Sequence, residues 1–340
     1  MTADKVTQQR AVRRLAVLLA GIVLLIAILL LAVVVGAVSI PLRDVWLALQ
    51  APGTTDDYQI IYTLRIPRGL CAALAGANLA LSGCILQGVL RNPLADPGII
   101  GISAGAGLAA MALMMLAPTL TAWVPMAAFF GALGAAAIVF FLAWERGVNP
   151  LRLVLAGVAV AAFFGGGMTA LSVFFSDKVQ GTVSWMAGGF AGVGWQSVRM
   201  ILPYSLVGMA GTVALYRRLN ALQLGDDVAQ TLGVHVNRTR AMLVALAALL
   251  AASAVSVAGL LGFVGLIVPH VMRLIVGSDF EPLLPCSAVF GAVFGAVLVA
   301  GADVAARTLF SPMEVPVGIF MSFIGAPFFL YLLRRRLNAT

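Results

Sequence analysis

Runs of residues with no charged side chain recur at 15–42, 69–90, 97–144, 153–176, 200–216, 241–272, 282–302 and 315–333. Each is apolar enough and long enough to form a helix crossing a hydrocarbon layer roughly 30 Å thick. The 97–144 run has 48 residues, and Pro118 and Pro125 bracket a break within it, so the pattern predicts two helices there. The 241–272 run has 32 residues. As one helix it would be about 48 Å long, well beyond the layer it has to cross. Gly259 and Gly262 give it a place to fold back.

Charge decides between nine helices and ten. Arg13 and Arg14 precede the first run, and Arg334, Arg335 and Arg336 follow the last. Basic residues favour the cytoplasmic side, so both termini belong there and the number of crossings is even. The count is therefore ten. On that topology fifteen basic residues fall inside: Lys5, Arg10, Arg13, Arg14, Arg91, Arg146, Arg152, Arg217, Arg218, Arg238, Arg240, Arg273 and the last three. Six fall outside: Arg43, Arg65, Arg68, Lys178, Arg199 and Arg307.

Between the runs, Ser39 to Gln50 reads as a short amphipathic outer helix, with Pro41 near its start and Trp46 as an interface anchor. Residues 177–198, with Trp185 and Trp195, read as a second outer interfacial piece. Small residues four apart predict close helix contacts: Gly101 and Gly105, Ala72, Gly76 and Ala80, Gly291 and Gly295. Gly83 precedes Pro93 by the same ten residues that separate Gly259 from Pro269, which hints at an inverted repeat.

The longest polar interruption with a helical pattern runs from Tyr216 to Arg240. Within it, Gly225 lets the chain turn, and Asp226 and Asp227 suit the positive end of a short helix. Val228, Ala229 and Leu232 line one side of that helix, and Gly233 stops it. Two turns of helix are unstable alone in water and need a partner surface. The segment reads as either a solvated linker or a docking element for a soluble protein.

Composition agrees with a membrane protein: 62% of the residues are hydrophobic and 10% are charged. The net charge of +8 comes from residues flanking the apolar runs, so it reports topology and not nucleic-acid binding. Residues 15–42 exceed a signal-peptide core and are expected to stay as the first span. Cys71, Cys84 and Cys286 lie in or beside apolar runs and read as buried thiols.

Catalytic chemistry finds no footing. The only lysines are Lys5 and Lys178, and no phosphate-cradling Gly-x-x-x-x-Gly-Lys loop exists. His235 and His270 have no metal-ligand spacing, and no metal site is expected. Asp4, Asp44, Asp56, Asp57, Glu145, Asp177, Asp226, Asp227, Asp279 and Glu281 fall in loops or termini, and Asp96, Asp303 and Glu314 at span ends. A proton-coupled carrier usually keeps a carboxylate at depth, so an ATP-independent secondary carrier is the weaker alternative. His270 is expected to be a hydrogen-bonded structural histidine. Outside, Arg65, Arg68 and Arg307 offer three guanidiniums suited to carboxylates of an incoming protein, although an Asp303–Arg307 pair would also explain Arg307.

With these pieces in place, the sequence resembles the permease family of type II ABC importers for iron-siderophores, haem and cobalamin, the FecCD type. Three stretches carry the resemblance. The first is Leu64-Arg65-Ile66-Pro67-Arg68, continuing through Arg91-Asn92-Pro93-Leu94-Ala95-Asp96-Pro97 to Gly101-Ile102-Ser103-Ala104-Gly105. The second runs from Leu224-Gly225 through Ala229 to Leu232-Gly233-Val234. The third is Gly262-Phe263-Val264-Gly265-Leu266-Ile267-Val268-Pro269-His270, followed by Asp303, Arg307, Glu314-Val315-Pro316 and Ile324-Gly325-Ala326-Pro327.

The resemblance implies an all-α integral membrane fold of ten transmembrane helices with inverted-repeat character. The whole chain, 1–340, forms one permease domain with a cytoplasmic coupling segment at 217–240. It also implies two ABC ATPase subunits that bind ATP and Mg, a second permease subunit, and an extracytoplasmic substrate-binding protein at a bacterial cytoplasmic membrane. No cofactor is expected on this chain. Coupling residues would be Leu224, Gly225, Asp226, Asp227, Ala229, Leu232, Gly233 and Val234, and docking arginines Arg65, Arg68 and Arg307. The fifth span would line the pathway with Phe163, Phe164, Met168, Phe174 and Phe175. The family's inner gate has small hydroxyl residues where this chain has Asn149, Pro150 and Leu151, so that gate is not carried over. Iron-siderophore ranks first among the expected cargoes, then haem, then cobalamin.

Overall fold

The computed structural model describes residues 3–36, 38–50, 53, 55–145, 149–276, 283–310 and 313–337, and among these the side chains of 3–11, 276, 283–288, 331–333 and 335–337 are not placed. Asp4, Lys5, Arg10, Arg146, Asp279, Glu281, Cys286, Arg335 and Arg336 thus lie outside the described residues or side chains.

In chain order, α1 (Ala3–Val34) leads to α2 (Leu42–Gln50) and α3 (Asp56–Gln59). A π-helical turn, Ile60–Arg65, joins α3 to α4 (Ile66–Leu90). Then come α5 (Ile102–Leu116), α6 (Val124–Leu142), α7 (Pro150–Phe174), α8 (Val179–Met186), α9 (Trp195–Gln223) and α10 (Asp226–Thr231). The chain closes with α11 (Val236–Ala258), α12 (Val264–Val276), α13 (Leu283–Thr308) and α14 (Val317–Leu337).

The centre of the bundle is α4, because its sequence is apolar and small all the way round. A helix without a polar face has to be enclosed. It packs against α9, α11, α12 and α13. Ala72, Ala75, Gly76, Ala80 and Gly83 let those neighbours come close, and Gly76 meets Gly295 of α13 so tightly that a Cβ on either would overlap the other's carbonyl. Polar pins add direction. Asn78 donates to Ser205 of α9 at 2.8 Å and to Ser253 of α11 at 2.9 Å, and Ser82 donates to the Ala247 carbonyl. Inside a membrane such bonds are each worth about 0.6 kcal/mol.

On one flank α5 and α6 form a pair around Gly105 and Gly131, with α7 packed against both. On another, α1 leans on α13, and its leucines and isoleucines face outward as lipid-facing side chains would. Seven described helical segments are long and apolar enough to cross a membrane: Val12–Val34, Asp56–Leu90, Pro118–Leu142, Pro150–Phe174, Trp195–Gln223, Val236–Ala258 and Val289–Thr308. Three shorter apolar helices, Ile102–Leu116, Val264–Ile275 and Val317–Leu330, fall on the remaining expected spans.

Several local expectations change. The helix expected over 200–216 runs from Trp195 to Gln223, with Pro203 inside it and Arg199, Arg217 and Arg218 absorbed at its ends. The outer helix begins at Leu42, one residue after Pro41, and buries Val45 and Ala48 against Ile40 and Ile61. Residues 177–198 hold the end of a short 3-10 turn, α8, an irregular turn and the first residues of α9, which Trp195 opens. The predicted fold-back near Gly259 is present: Gly259 has φ +67°, and α12 starts five residues later. The matched Gly–Pro spacings do not mark equivalent places. Gly83 sits inside α4 while Gly259 ends α11, and Pro93 lies in a turn while Pro269 lies within α12.

Candidate coupling helix and arginine cluster

The six residues of α10 form a helix bounded by two glycines in conformations that other residues rarely adopt. Gly225 has φ +116° and Gly233 has φ +79°. At the exit, Val234 N–H donates to the Ala229 carbonyl and Gly233 N–H to the Gln230 carbonyl, a Schellman closure. One expectation is corrected here: Val228, Ala229 and Leu232 do not share a face. Ala229 is fully buried, whereas Leu224, Val228 and Leu232 are exposed. Successive helical residues are about 100° apart, so seating Ala229 against the bundle turns Val228 outward. Asp227 and Gly233 also face out, while Asp226 is half-buried.

Asp226 is held from two directions. One carboxylate oxygen, Oδ1, accepts from Arg240 Nη2 at 2.9 Å and from Arg91 Nη2 at 3.3 Å. Arg240 stands in the first turns of α11 with its side chain 3% exposed. Arg91 ends α4 in the left-handed region, φ 51°. One turn back, Gln87 donates to the carbonyls of Ala95 and Gly265 and accepts from Arg273 of α12. Asp96 caps the short turn Pro97–Ile100 by accepting from Gly98 N–H at 2.9 Å. Burial pushes its carboxyl up to about 6, against the opposing effect of that N–H.

The three expected docking arginines converge, and they are not equally free. Arg65 is 6% exposed and donates to the carbonyls of Val33 and Val34 at the end of α1 and of Val38 in the segment after it. Arg307 is also 6% exposed and donates to the Ala32 carbonyl at 2.5 Å. Helix ends leave carbonyls without intrahelical partners, and these two guanidiniums supply donors there. Of the three, Arg68 is the most exposed. Arg68, 15% exposed, grips Asp303 through Nε and Nη2 at 3.0–3.1 Å and reaches Glu314 with Nη1 at 2.9 Å. The expected Asp303–Arg307 pair exists at 3.8 Å, but the short contacts of Asp303 go to Arg68.

Along α7, Phe163 and Phe174 project from the free face, while Phe164, Met168 and Phe175 are half-buried. Met168 fills the space beside Gly107 of α5, and the Phe175 ring lies under Lys178. Asn149 caps α7 through Leu151 N–H. His270 sits edge-on to Phe328 of α14, as a structural histidine would. Among the described residues no group of His, Cys, Asp and Glu could hold a metal ion.

The family model of the FecCD transport family matches residues 7–335. The chain belongs to the FecCD transport family. FecCD permeases are transport subunits of ABC importers and not themselves enzymes. The chain is 42% identical over 323 residues to the iron(3+)-hydroxamate import system permease protein FhuB of Bacillus subtilis (strain 168), covering 94% of this chain and 83% of that one. It is 42% identical over 302 residues to the cobalamin import system permease protein BtuC of Halobacterium salinarum, covering 87% and 80%. A solved metal-chelate type ABC transporter in an inward-facing conformation superposes with TM-score 0.81 at 30% identity, covering 94% of this chain and 99% of that one. Within this FecCD fold, the partners of Arg65, Arg307 and Asp226 are what sequence reasoning missed. They lie from 14 positions away, for Arg240 and Asp226, to 275, for Arg307 and Ala32.

Proposed function

We propose that this chain receives an iron chelate of the siderophore type from an extracytoplasmic binding protein and passes it across the bacterial cytoplasmic membrane. The whole chain acts as one permease domain with ten crossings and both termini in the cytoplasm. It works beside a second permease subunit and two ABC ATPase subunits, which bind ATP and Mg. The observation that supports this reading most is 42% identity to an iron(3+)-hydroxamate permease across 94% of the chain. A cobalamin cargo is the second reading, favoured by equal identity to a cobalamin permease over a somewhat shorter stretch.

In this reading the ATPase grips the exposed side of the coupling segment, at Leu224, Asp227, Val228, Leu232 and Gly233. Ala229 and Val234 seat the helix, and Gly225 sets its entry. A shift there switches the pathway along α7, where Phe163 and Phe174 face the cargo. Docking carboxylates meet Arg68, while Arg65 and Arg307 hold the surrounding surface. The test is purification with the cognate ATPase and binding protein, followed by spectroscopy of the ligand on the binding protein and uptake into proteoliposomes. A ferric-chelate band and nucleotide-dependent uptake are expected. A corrin spectrum would move the cargo to the second reading. Uphill uptake by this subunit alone without nucleotide would overturn the function.

A further inference from the structure

The acid at the start of α10 faces the bundle, and its neighbour in sequence faces away. Asp227 is exposed, whereas Asp226 is tied to the ends of two long helices at once. We propose that Asp226 is a positioning residue that clamps the coupling helix to α4 and α11 through Arg91 and Arg240, and is not itself a contact of the ATPase. This rests on the importer reading given above.

Three observations support the clamp. First, a single oxygen of Asp226 receives both guanidiniums, so α10 cannot shift relative to either helix without stretching a charge-assisted bond. Second, Arg240 is 3% exposed, so its bond to Asp226 is sheltered from water and weakening it costs more than at a surface pair. Third, α10 is joined to its neighbours through a glycine at each end, Gly225 and Gly233, and a Cβ on Gly233 would meet nothing within 4 Å. Neither junction residue has a side chain to brace α10 against the bundle, so the clamp and the seat of Ala229 do so.

Arg91 extends the path. It ends α4, and one turn earlier Gln87 binds the Gly265 carbonyl and Arg273 of α12. A displacement of α10 thus reaches the central helix and the fold-back helix through consecutive polar contacts. Arg91 joins α10 to α4, and Gln87 joins α4 to α12 twice.

The test uses the intact importer in detergent and in proteoliposomes, with ATP as substrate and the ligand-free binding protein as stimulus. Asp226→Asn and Arg91→Gln should each retain the ATPase on co-purification. Asp226→Asn should lower the stimulation of ATP hydrolysis by the binding protein at least tenfold, and Arg91→Gln, which removes the exposed arm of the clamp, by up to about fivefold. The double variant should fall no further than Asp226→Asn, and Asp226→Glu should restore most of the response. Arg91 is half-solvated, so Arg91→Gln decides the matter where Asp226→Asn fails to fold. Loss of the ATPase from Asp226→Asn would make Asp226 a partner contact and overturn the clamp. So would full stimulation in a well-folded Arg91→Gln. If no ATPase accompanies even the unaltered chain, the importer reading fails instead.

Discussion

Gly83 and Gly265 meet backbone to backbone. A Cβ on Gly83 would overlap the carbonyl oxygen and Cα of Gly265, so the central helix α4 and the first turn of α12 touch with no side chain between them. Gln87, one turn further on, binds that same Gly265 carbonyl. The contact sets the position of the short α12 relative to α4.

Replacing Gly83 with Ala should therefore force α4 and α12 apart. Overpacking of this kind costs about 1–3 kcal/mol. The expected outcome is a lower melting temperature in detergent and reduced yield of monodisperse protein. Gly134→Ala on α6 is the matched control, because a Cβ there meets nothing within 4 Å. Equal melting temperatures for the two variants would refute the tight contact.

The exposed face of α10 makes a separate prediction. Leu232→Asp and Val228→Asp alter side chains that point away from the bundle, so the permease should melt as before. Under the proposed function, ATPase co-purification should weaken by tenfold or more, equivalent to about 1.4 kcal/mol per tenfold step. Ala229→Arg, by contrast, drives a charge into a fully buried site and should destabilise the fold itself. Pull-down with thermal melting separates the two outcomes, and ATPase retention by Leu232→Asp would count against this face as the gripping surface.

Much of this architecture was legible in the charge pattern. Runs such as 69–90 and 153–176 became α4 and α7, because an apolar stretch in lipid has few structures besides a helix. The fold-back at Gly259 and the glycine limits of α10 were readable for a similar reason, since few residues other than glycine accept such backbone angles. The partners of charged residues were not legible. Arg68 and Asp303 lie 235 positions apart, and sequence gives no hint that Arg65 turns inward to the end of α1. The π-helical turn Ile60–Arg65 was equally hidden, because it arises where α3 and α4 join and has no composition of its own.

Glu314 already occupies the exposed edge of Arg68. Its side chain is 48% exposed and its carboxylate lies 2.9 Å from Arg68 Nη1. Under the proposed function a docking carboxylate has to displace it, so Glu314→Gln should tighten binding of the cognate binding protein. An exposed ion pair is worth about 0.2–1 kcal/mol, which corresponds to a gain of up to about fivefold. Arg68→Glu should weaken docking, and more strongly at low salt. Surface plasmon resonance at two ionic strengths reads both effects. Weaker docking by Glu314→Gln would show that Glu314 helps the partner and does not compete with it.

Asp96 predicts a pH dependence. Its carboxyl is pushed up to about 6, from an ordinary value of about 3.9, chiefly by burial. The folded chain therefore binds this proton more tightly than the unfolded chain does. The resulting stabilisation is complete below about pH 4, fades as the pH rises, and is gone above about pH 6. A shift of this size corresponds to at most about 3 kcal/mol. Partial exposure and the nearby N-terminal turn of α12, which favours the anion, bring the expected effect to about 1–2 kcal/mol. Asp96→Asn keeps an oxygen for Gly98 N–H and stays neutral at every pH. Its melting temperature should exceed that of the unaltered chain at pH 7.5, match it near pH 4, and lack the decline between them. A variant that melts lower at pH 7.5 would show that the ionised carboxylate is the form the loop is built to hold.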